Sequence, residues 1–195
     1  MKITSNRNTE FKGYETTKRI MHWCEKWFVE EGSYKMDTTG SLTSSGYCLV
    51  ANGLAKIGDV VLHCEGVLLE TKNKYSVQVS LKTHLHPPVK ATTAACQENH
   101  KWMYTNHSCF PNVCFSDMRF IAIRPIVPGD HITFDYETNE DTMSEMFVCM
   151  CETDVCRGTI AGYSLLTDAE RARLKHQTAA YLLEHYALST TESSF

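Results

Sequence analysis

The sequence predicts a mainly β domain with a helix near each end. Short apolar stretches bounded by glycine or turn residues predict strands, and one of them, residues 75–79, alternates apolar and polar positions. Apolar spacing of three and four residues, which is typical of amphipathic helices, occurs towards both ends of the chain. The predicted strands are residues 46–51, 57–62, 67–69, 75–79, 115–123 and 132–136.

Local signals set the expected bounds of the remaining segments. A helix is predicted over 16–29, with Trp23 and Trp27 on the face that packs against the domain. The Thr, Ser and Gly-rich tract 37–45 predicts a loop, as does 84–95, which contains two prolines. A capped start at Thr167 predicts a second helix to about residue 187, which packs on the domain, covers a cofactor or forms a dimer contact.

Composition limits the class of protein. The chain has 195 residues, 43% of them hydrophobic, which is enough for one domain with small flanking pieces. A net charge of −4 argues against a general nucleic-acid binder and favours a cationic partner. No apolar run approaches the roughly 18 residues of a membrane span, and no signal peptide is visible. We therefore expect an intracellular protein, nuclear or cytoplasmic, with reduced thiols.

Three polar or cysteine-rich motifs follow one another in the second half. The first is Asn106-His107-Ser108-Cys109-Phe110-Pro111-Asn112, and the second is the stretch 129–136, which ends in Phe134-Asp135-Tyr136. The third places cysteines at 149, 151 and 156 and is followed by Arg157-Gly158. Clustered cysteines of this spacing in a reduced environment indicate a metal site more often than a disulfide. A Cys–His hydrolase pair is disfavoured, because such partners are rarely sequence neighbours.

These motifs resemble the C-terminal half of a SET-domain lysine methyltransferase with its post-SET zinc motif. The resemblance covers about residues 44–162 and is weaker in its first half. It implies a SET-type β-clip of small sheets with a knot-like C-terminal crossing. The implied division is an N-terminal helical extension (1–43), the SET domain (44–138), the post-SET zinc segment (139–162), and a C-terminal helix and tail (163–195).

The resemblance also implies an S-adenosyl-L-methionine site and a catalytic centre. Cofactor contacts are expected from Gly46, Tyr47 and Cys48 and from Asn106, His107 and Tyr136, with Cys48 standing where the family has a second glycine. Tyr136 matches the catalytic tyrosine, and without the resemblance it would be a core tyrosine at a strand end. Methyl transfer needs a neutral amine, and lysine has an ordinary pKa near 10.4, so an apolar aromatic channel would favour loss of its proton. Phe134 matches the position that sets product, and phenylalanine there favours di- or trimethylation.

The family's zinc site gives a specific ligand set. Cys149, Cys151 and Cys156 supply three thiolates, and by resemblance Cys109 supplies the fourth, which completes the tetrahedron that structural Zn²⁺ prefers. The family's second channel tyrosine is missing near Cys64, where Tyr75 or Tyr104 is a possible replacement. The other cysteines, at 24, 48, 64, 96 and 114, are expected to be buried apolar residues.

The substrate is expected to be a lysine-containing basic protein or peptide, such as a histone tail. Five acids, Asp135, Glu137, Glu140, Asp141 and Glu145, are expected to attract such a cation. Two alternatives stay open. One is a non-catalytic, zinc-stabilised interaction module, favoured by Cys48 and the missing tyrosine; the other is a methyltransferase for a non-histone protein or a small amine.

Overall fold

The computed structural model describes residues 38–43, 46–88 and 100–192 of the chain. The helix predicted over 16–29 lies outside these ranges, as do Cys24 and Cys96. Within them the protein is mainly β, which confirms the predicted fold class. The strands are β1 Thr38–Thr43, β2 Gly46–Ala51, β3 Val60–His63, β4 Val67–Leu69, β5 Val77–Ser80, β6 Thr83–His86, β7 Asn106–His107, β8 Val113–Ser116, β9 Arg119–Ala122, β10 Thr133–Phe134, β11 Phe147–Val148 and β12 Thr159–Ile160.

The strands form small sheets of two or three members. Their orders are β1-β2, β3-β9-β8, β4-β6-β5, β10-β7 and β11-β12. The loop expected over 37–45 is wrong, because the threonine-rich segment pairs along its length with β2, from Thr38 opposite Ala51 to Thr43 opposite Gly46. The first two predicted strands do not pair with each other, because β2 pairs with β1 while β3 pairs with β9.

The single strand expected over 115–123 is an antiparallel hairpin of β8 and β9. Its turn passes through Asp117 and Met118, whose φ angles are 48° and 59°, and Ser116 lies opposite Arg119. Two consecutive residues with positive φ fit the right-handed twist of a hairpin, and Asn-Gly is the usual sequence signal for such a turn. Asp-Met lacks that signal, so the turn was not predicted.

A parallel pair of short strands positions the motifs. In the β7–β10 pair, Asn106 lies opposite Thr133 and His107 opposite Phe134. The main chain of Ser108 extends the contact by donating to the Phe134 carbonyl at 3.2 Å. Two segments about 27 residues apart are thereby aligned above a core that contains the buried Phe120 and Val113. The knot-like crossing stays a prediction.

The C-terminal region forms two helices, α1 Asp168–Leu174 and α2 Ala180–Glu192, instead of one. A capping box joins Thr167 and Glu170 at the start of α1, as the sequence predicts. The chain then leaves the helix, because the Ala179 N–H donates to the Thr138 carbonyl at 2.8 Å. The buried Leu174 and Leu182 pack in a cluster with Tyr163. Among the residues described, no helix has the length and apolar character needed to cross a membrane.

Candidate functional site

A cavity of about 800 Å³ lies between the Asn106–Asn112 motif, residues 124–133 and the segment 147–151. Asn106, His107 and Tyr136 are among its lining residues, so three of the six residues expected to bind cofactor share one cavity. The volume is within the usual range for a small-molecule site. The third wall is made by the cysteine-rich segment.

His107 is held in one orientation by partners on both ring nitrogens. Nδ1 lies 3.2 Å from the Tyr136 backbone N–H and accepts its hydrogen bond, and Nε2 lies 3.4 Å from Cys109 Sγ. Burial, followed by the Arg157 charge, lowers the pKa of His107 to about 3, so the ring is neutral. Because Nδ1 accepts, the hydrogen-bond network assigns the proton to Nε2, which donates to the Cys109 sulfur. His107 therefore joins the cavity to the cysteine cluster.

Asn112 and Arg124 fix the opposite wall. Asn112 Nδ2 donates to the His131 carbonyl at 2.8 Å, and Asn112 Oδ1 accepts from the Thr133 N–H at 2.9 Å. The Arg124 guanidinium covers the Phe110 ring at 3.6 Å and donates through Nε to the Pro111 carbonyl at 2.8 Å. These bonds hold the motif loop against the 131–133 segment. No separate sequence signal pointed to Arg124.

A second, narrower cavity of about 40 Å³ is also lined by Tyr136. Phe134 and Tyr136 both line it, with ring centroids 4.8 Å apart. Tyr75 also lines it, whereas Cys64 is buried in the main core. Tyr104 is not among the residues that line this cavity, and replacement of the channel tyrosine by Tyr75 stays a prediction. Tyr136 borders both cavities, and its hydroxyl donates to the Thr105 carbonyl at 3.0 Å.

The four predicted metal ligands are neighbours in space. The Sγ atoms of Cys109, Cys149, Cys151 and Cys156 all lie within 4.8 Å of one another, and those of Cys109 and Cys149 are 3.9 Å apart. Four thiolates around Zn²⁺ at about 2.3 Å have sulfur–sulfur distances of about 3.8 Å, so the residues fit this ion. Burial raises the pKa of Cys109 to about 11, so a bound cation would be needed to hold it as thiolate.

Comparison with known proteins identifies the fold family. The SET domain family model matches residues 46–137. Residues 46–137 form a SET domain. Methyltransferase flvH of Aspergillus flavus is 39% identical over 64 residues, which are 31% of this chain and 36% of that protein. Set2 and ash1, histone-lysine N-methyltransferases of Drosophila melanogaster, are each 39% identical over 70 residues, which are 30% and 31% of this chain and 3% of each relative.

The SET domain is therefore shared with proteins of which this chain spans about a third or less. Two solved structures are similar over 67% and 65% of the chain, with TM-scores of 0.48 and 0.45 and identities of 18% and 17%. They are KRYPTONITE in complex with mCHH DNA, H3(1–15) peptide and SAH, and the methyltransferase domain of human SETMAR. The aligned parts are 30% and 57% of those chains.

Sequence reasoning missed a buried ion-pair network next to the SET-domain tyrosine. Arg157 Nη2 donates to Asp135 Oδ1 at 2.5 Å, and Arg157 Nε donates to Glu137 Oε2 at 2.7 Å. The Arg157 side chain is 4% exposed. Glu137 Oε1 also accepts from the Ala161 and Gly162 N–H groups at 2.9 and 3.1 Å. The only available signal was the Cys-Arg-Gly sequence, which we used for metal ligation alone.

The same network changes the interpretation of the acidic run. Asp135, Glu137 and Glu140 are 1%, 2% and 7% exposed, so they are not a solvated acidic surface. Asp141 is half-buried and accepts from the Tyr186 hydroxyl at 2.8 Å, and Glu145 alone of the five is exposed. Attraction of a basic peptide by this run is therefore limited to its exposed end.

Of the residues in β2 that were predicted to bind the cofactor, Cys48 contacts a residue that lines the first cavity. Cys48 is 2% exposed, and its Sγ lies 4.0 Å from Nε2 of His131, a residue that lines the cavity. Gly46 and Tyr47 belong to the same strand. Their contacts with a cofactor stay predictions. Cys64 is buried as expected, and Cys114 is half-buried.

Proposed function

We propose that this protein is an S-adenosylmethionine-dependent protein-lysine N-methyltransferase. One observation carries the proposal: Tyr136 borders both the large cavity, which suits a cofactor, and the narrow cavity, which suits an amine. A methyl group passing from one cavity to the other would pass this ring. This chain is 39% identical in sequence to two histone-lysine N-methyltransferases over 70 residues, which supports lysine as the acceptor.

The residues of the narrow cavity favour a neutral, oriented amine. Phe134 and Tyr136 provide apolar aromatic walls, and removal from water disfavours an ammonium. Burial, followed by the charge of Glu140, raises the pKa of the Tyr136 phenol, so the phenol stays neutral. Since its hydrogen is directed to the Thr105 carbonyl, the oxygen lone pairs remain available to orient the nucleophile. S-adenosylmethionine, when bound, supplies the sulfonium methyl.

Asn106 and His107 are proposed to hold the cofactor. Both line the large cavity, and the neutral His107 ring packs edge-on against Tyr136 and Phe147, with centroids 5.2 and 5.8 Å away. A neutral ring avoids repulsion of a positive sulfonium. Gly46, Tyr47 and Cys48 are proposed to complete the site from β2. Phe134, which carries no hydroxyl, is proposed to leave room for di- or trimethylated products.

The four thiols are proposed to bind one Zn²⁺. Cys149 and Cys151 belong to the segment that walls the large cavity, Cys156 lies five residues beyond Cys151, and Cys109 belongs to the motif that carries Asn106 and His107. A zinc ion there would fasten the wall to the motif. Its role is structural, because all four ligand positions are occupied by protein.

Transfer of a labelled methyl group tests the proposal. The full chain, loaded with zinc, is incubated with labelled S-adenosylmethionine and either lysine peptides or a cell lysate, and Tyr136→Phe is the matched control. Label on lysine side chains in the wild type and its loss in the variant supports the proposal. Cofactor binding without transfer to any acceptor would contradict it and favour the non-catalytic interaction module.

A small amine is a second candidate acceptor, and one observation favours it. Lys74 lines the narrow cavity, with its ammonium 4.8 Å from the Tyr75 ring centroid. A cation at that position repels a strongly basic peptide more than a single amine. Label in the small-molecule fraction of the lysate, rather than in protein, would identify this function.

A further inference from the structure

The narrow cavity contains a buried carboxyl group without a counter-ion. Glu140 lines it, and its side chain is 9% exposed. Asp135 and Glu137 share Arg157, but no lysine or arginine among the described residues forms an ion pair with Glu140. A buried carboxylate without a cation is costly, so this arrangement indicates that a positive ligand completes the site.

Within the described part of the chain, only Oε1 of Glu140 accepts a hydrogen bond. Oε1 accepts from the Gln78 N–H at 2.7 Å, while Oε2 lies 3.7 Å from Nε2 of His84, which is beyond hydrogen-bond distance. Burial, followed by the charges of His86 and Lys72, lowers the pKa of His84, so this ring is neutral near pH 7. Oε2 is therefore available to a donor in the cavity.

A second polar atom at the same cavity also lacks a partner. Thr105 lines the cavity and is 3% exposed, and its Oγ1 makes no hydrogen bond within the described residues. Most buried side-chain oxygens have a partner, and an exception calls for a physical cause such as a bound water, ion or ligand. Two unsatisfied acceptors at one narrow cavity match a ligand that donates several hydrogen bonds, and a primary ammonium donates three.

We propose that Glu140 receives the substrate amine as its ammonium and takes the proton that must leave before methyl transfer. This inference rests on the proposed function and specifies the chemistry of the same site. Thr105 Oγ1 accepts a second hydrogen bond from the ammonium. The structural alternative is that Glu140 only accepts from Gln78 and has no contact with substrate.

The proton and electron changes balance. An N–H bond of R–NH₃⁺ breaks and an O–H bond forms on Oε2, which gives R–NH₂ and a neutral carboxylic acid. The nitrogen lone pair then forms the C–N bond while the C–S bond of the sulfonium donor breaks and its electron pair stays on sulfur. The products are R–NH₂CH₃⁺ and a thioether, and Glu140 releases its proton to solvent before the next turnover.

The proton affinity of Glu140 suits this role. Burial raises its pKa to about 7, against the opposing effects of the Gln78 N–H and Lys72. Since the ordinary pKa of a lysine ammonium is about 10.4, the cavity must lower it for the transfer to be near balance. The titratable or charged groups that face Glu140 are Lys72, His84, Tyr136 and Tyr181. Lys72 donates to Thr142 Oγ1 at 2.7 Å instead of to Glu140.

Ligand binding without turnover tests the site directly. The probe is n-butylammonium, measured by calorimetry or NMR titration at pH 8 on the zinc-loaded full chain, with 1-butanol as the neutral probe. Glu140→Gln keeps an acceptor for the Gln78 N–H but removes the charge. We expect this variant to bind n-butylammonium at least tenfold more weakly than the wild type and to bind 1-butanol with unchanged affinity. Glu184→Gln, at an exposed position of α2, is the matched control. Equal ammonium affinity in wild type and Glu140→Gln would overturn the proposal.

A wild-type measurement keeps the test valid if Glu140→Gln folds poorly. n-Butylammonium stays cationic from pH 5 to 9, so loss of wild-type binding as the pH falls through about 7 reports protonation of Glu140. Binding that does not change over this range would overturn the inference. The binding measurements do not require methyl transfer, so the two proposals can fail separately. If the wild type binds n-butylammonium but catalyses no methyl transfer, the proposed function is rejected. If Glu140→Gln retains full methyl-transfer activity, the role of Glu140 is rejected.

Discussion

Arg157 Nη2 lies 2.5 Å from Asp135 Oδ1, and this bond joins the cysteine-rich segment to the residue before Tyr136. The Asp135 carboxylate is fully buried and the Arg157 side chain is 4% exposed, so neither charge is solvated. Arg157 also follows directly after a proposed zinc ligand, Cys156. The cysteine cluster and Tyr136, the proposed catalytic residue, are therefore linked through the Arg157 side chain.

Replacement of Arg157 by methionine is expected to destabilise the fold strongly. It leaves Asp135 and Glu137 as buried charges without a counter-ion, which costs about 3–5 kcal/mol. Urea unfolding at saturating zinc measures the loss. Arg173→Met, at an exposed position of α1, is the control and should change the free energy of unfolding by less than about 0.5 kcal/mol. A loss in Arg157→Met no larger than that of the control would contradict the network's importance.

Removal of the metal is expected to lower thermal stability and abolish methyl transfer. A chelator should release one Zn²⁺ per chain, because the four thiols fit a single tetrahedral ion. Cys109→Ser should lose zinc and the attachment of the segment to the motif, while Cys114→Ser, outside the cluster, should keep its zinc. Atomic absorption and melting curves measure both. One tightly bound zinc per chain in Cys109→Ser would argue against the four-thiol site.

The sequence predicted the parts that depend on neighbours along the chain. The strand Val67–Leu69 and the capping box at Thr167 follow from local pattern and are present. The proximity of Cys109 to the three later cysteines followed from resemblance to a family, since spacing alone supplies only three ligands.

The remaining features depend on partners that local sequence does not reveal. The acids at 135 and 137 were expected to attract a basic peptide, but they pair with Arg157, which is about 20 residues away and could not be assigned to them from local sequence. The C-terminal helix is broken because the Ala179 N–H bonds to the Thr138 carbonyl, a contact between distant segments. A strand at Thr38–Thr43 required knowledge of its pairing with β2.

Tyr136→Phe is expected to reduce kcat about a hundredfold or more with little change in KM. The hydroxyl is proposed to orient the amine in the reaction, and loss of one such polar group typically has this size of effect. Its bond to the Thr105 carbonyl contributes about 1 kcal/mol to stability, so the variant should fold. Tyr163→Phe, in the separate C-terminal cluster, is the control. Unchanged kcat in Tyr136→Phe would remove the tyrosine from the mechanism.

Phe134→Tyr is expected to shift the products towards monomethylation. Phe134 lines the narrow cavity with its ring centroid 4.8 Å from that of Tyr136, so an added hydroxyl occupies space that a second or third methyl group needs. Mass spectrometry of peptide products at equal total turnover measures the distribution. If the wild type yields only monomethylated product, or if the variant yields the same proportions of mono-, di- and trimethylated product as the wild type, residue 134 does not set the methylation state.

The raised pKa of Glu140 predicts a specific dependence of stability on pH. Its ordinary value is 4.5, and burial raises it to about 7 in the folded state. Between these values the folded protein holds a proton that the unfolded chain has lost, so the stabilisation from Glu140 is complete below pH 4.5 and is lost as the pH rises through 7. The unfolding free energy of wild type minus that of Glu140→Gln should therefore fall by up to about 3 kcal/mol over this window. The difference cancels acid effects on the zinc thiolates, which both proteins share, and Glu184→Gln should show no such trend. A difference that stays flat or rises with pH would mean that Glu140 is ionised in the folded protein throughout, with a cation of its own.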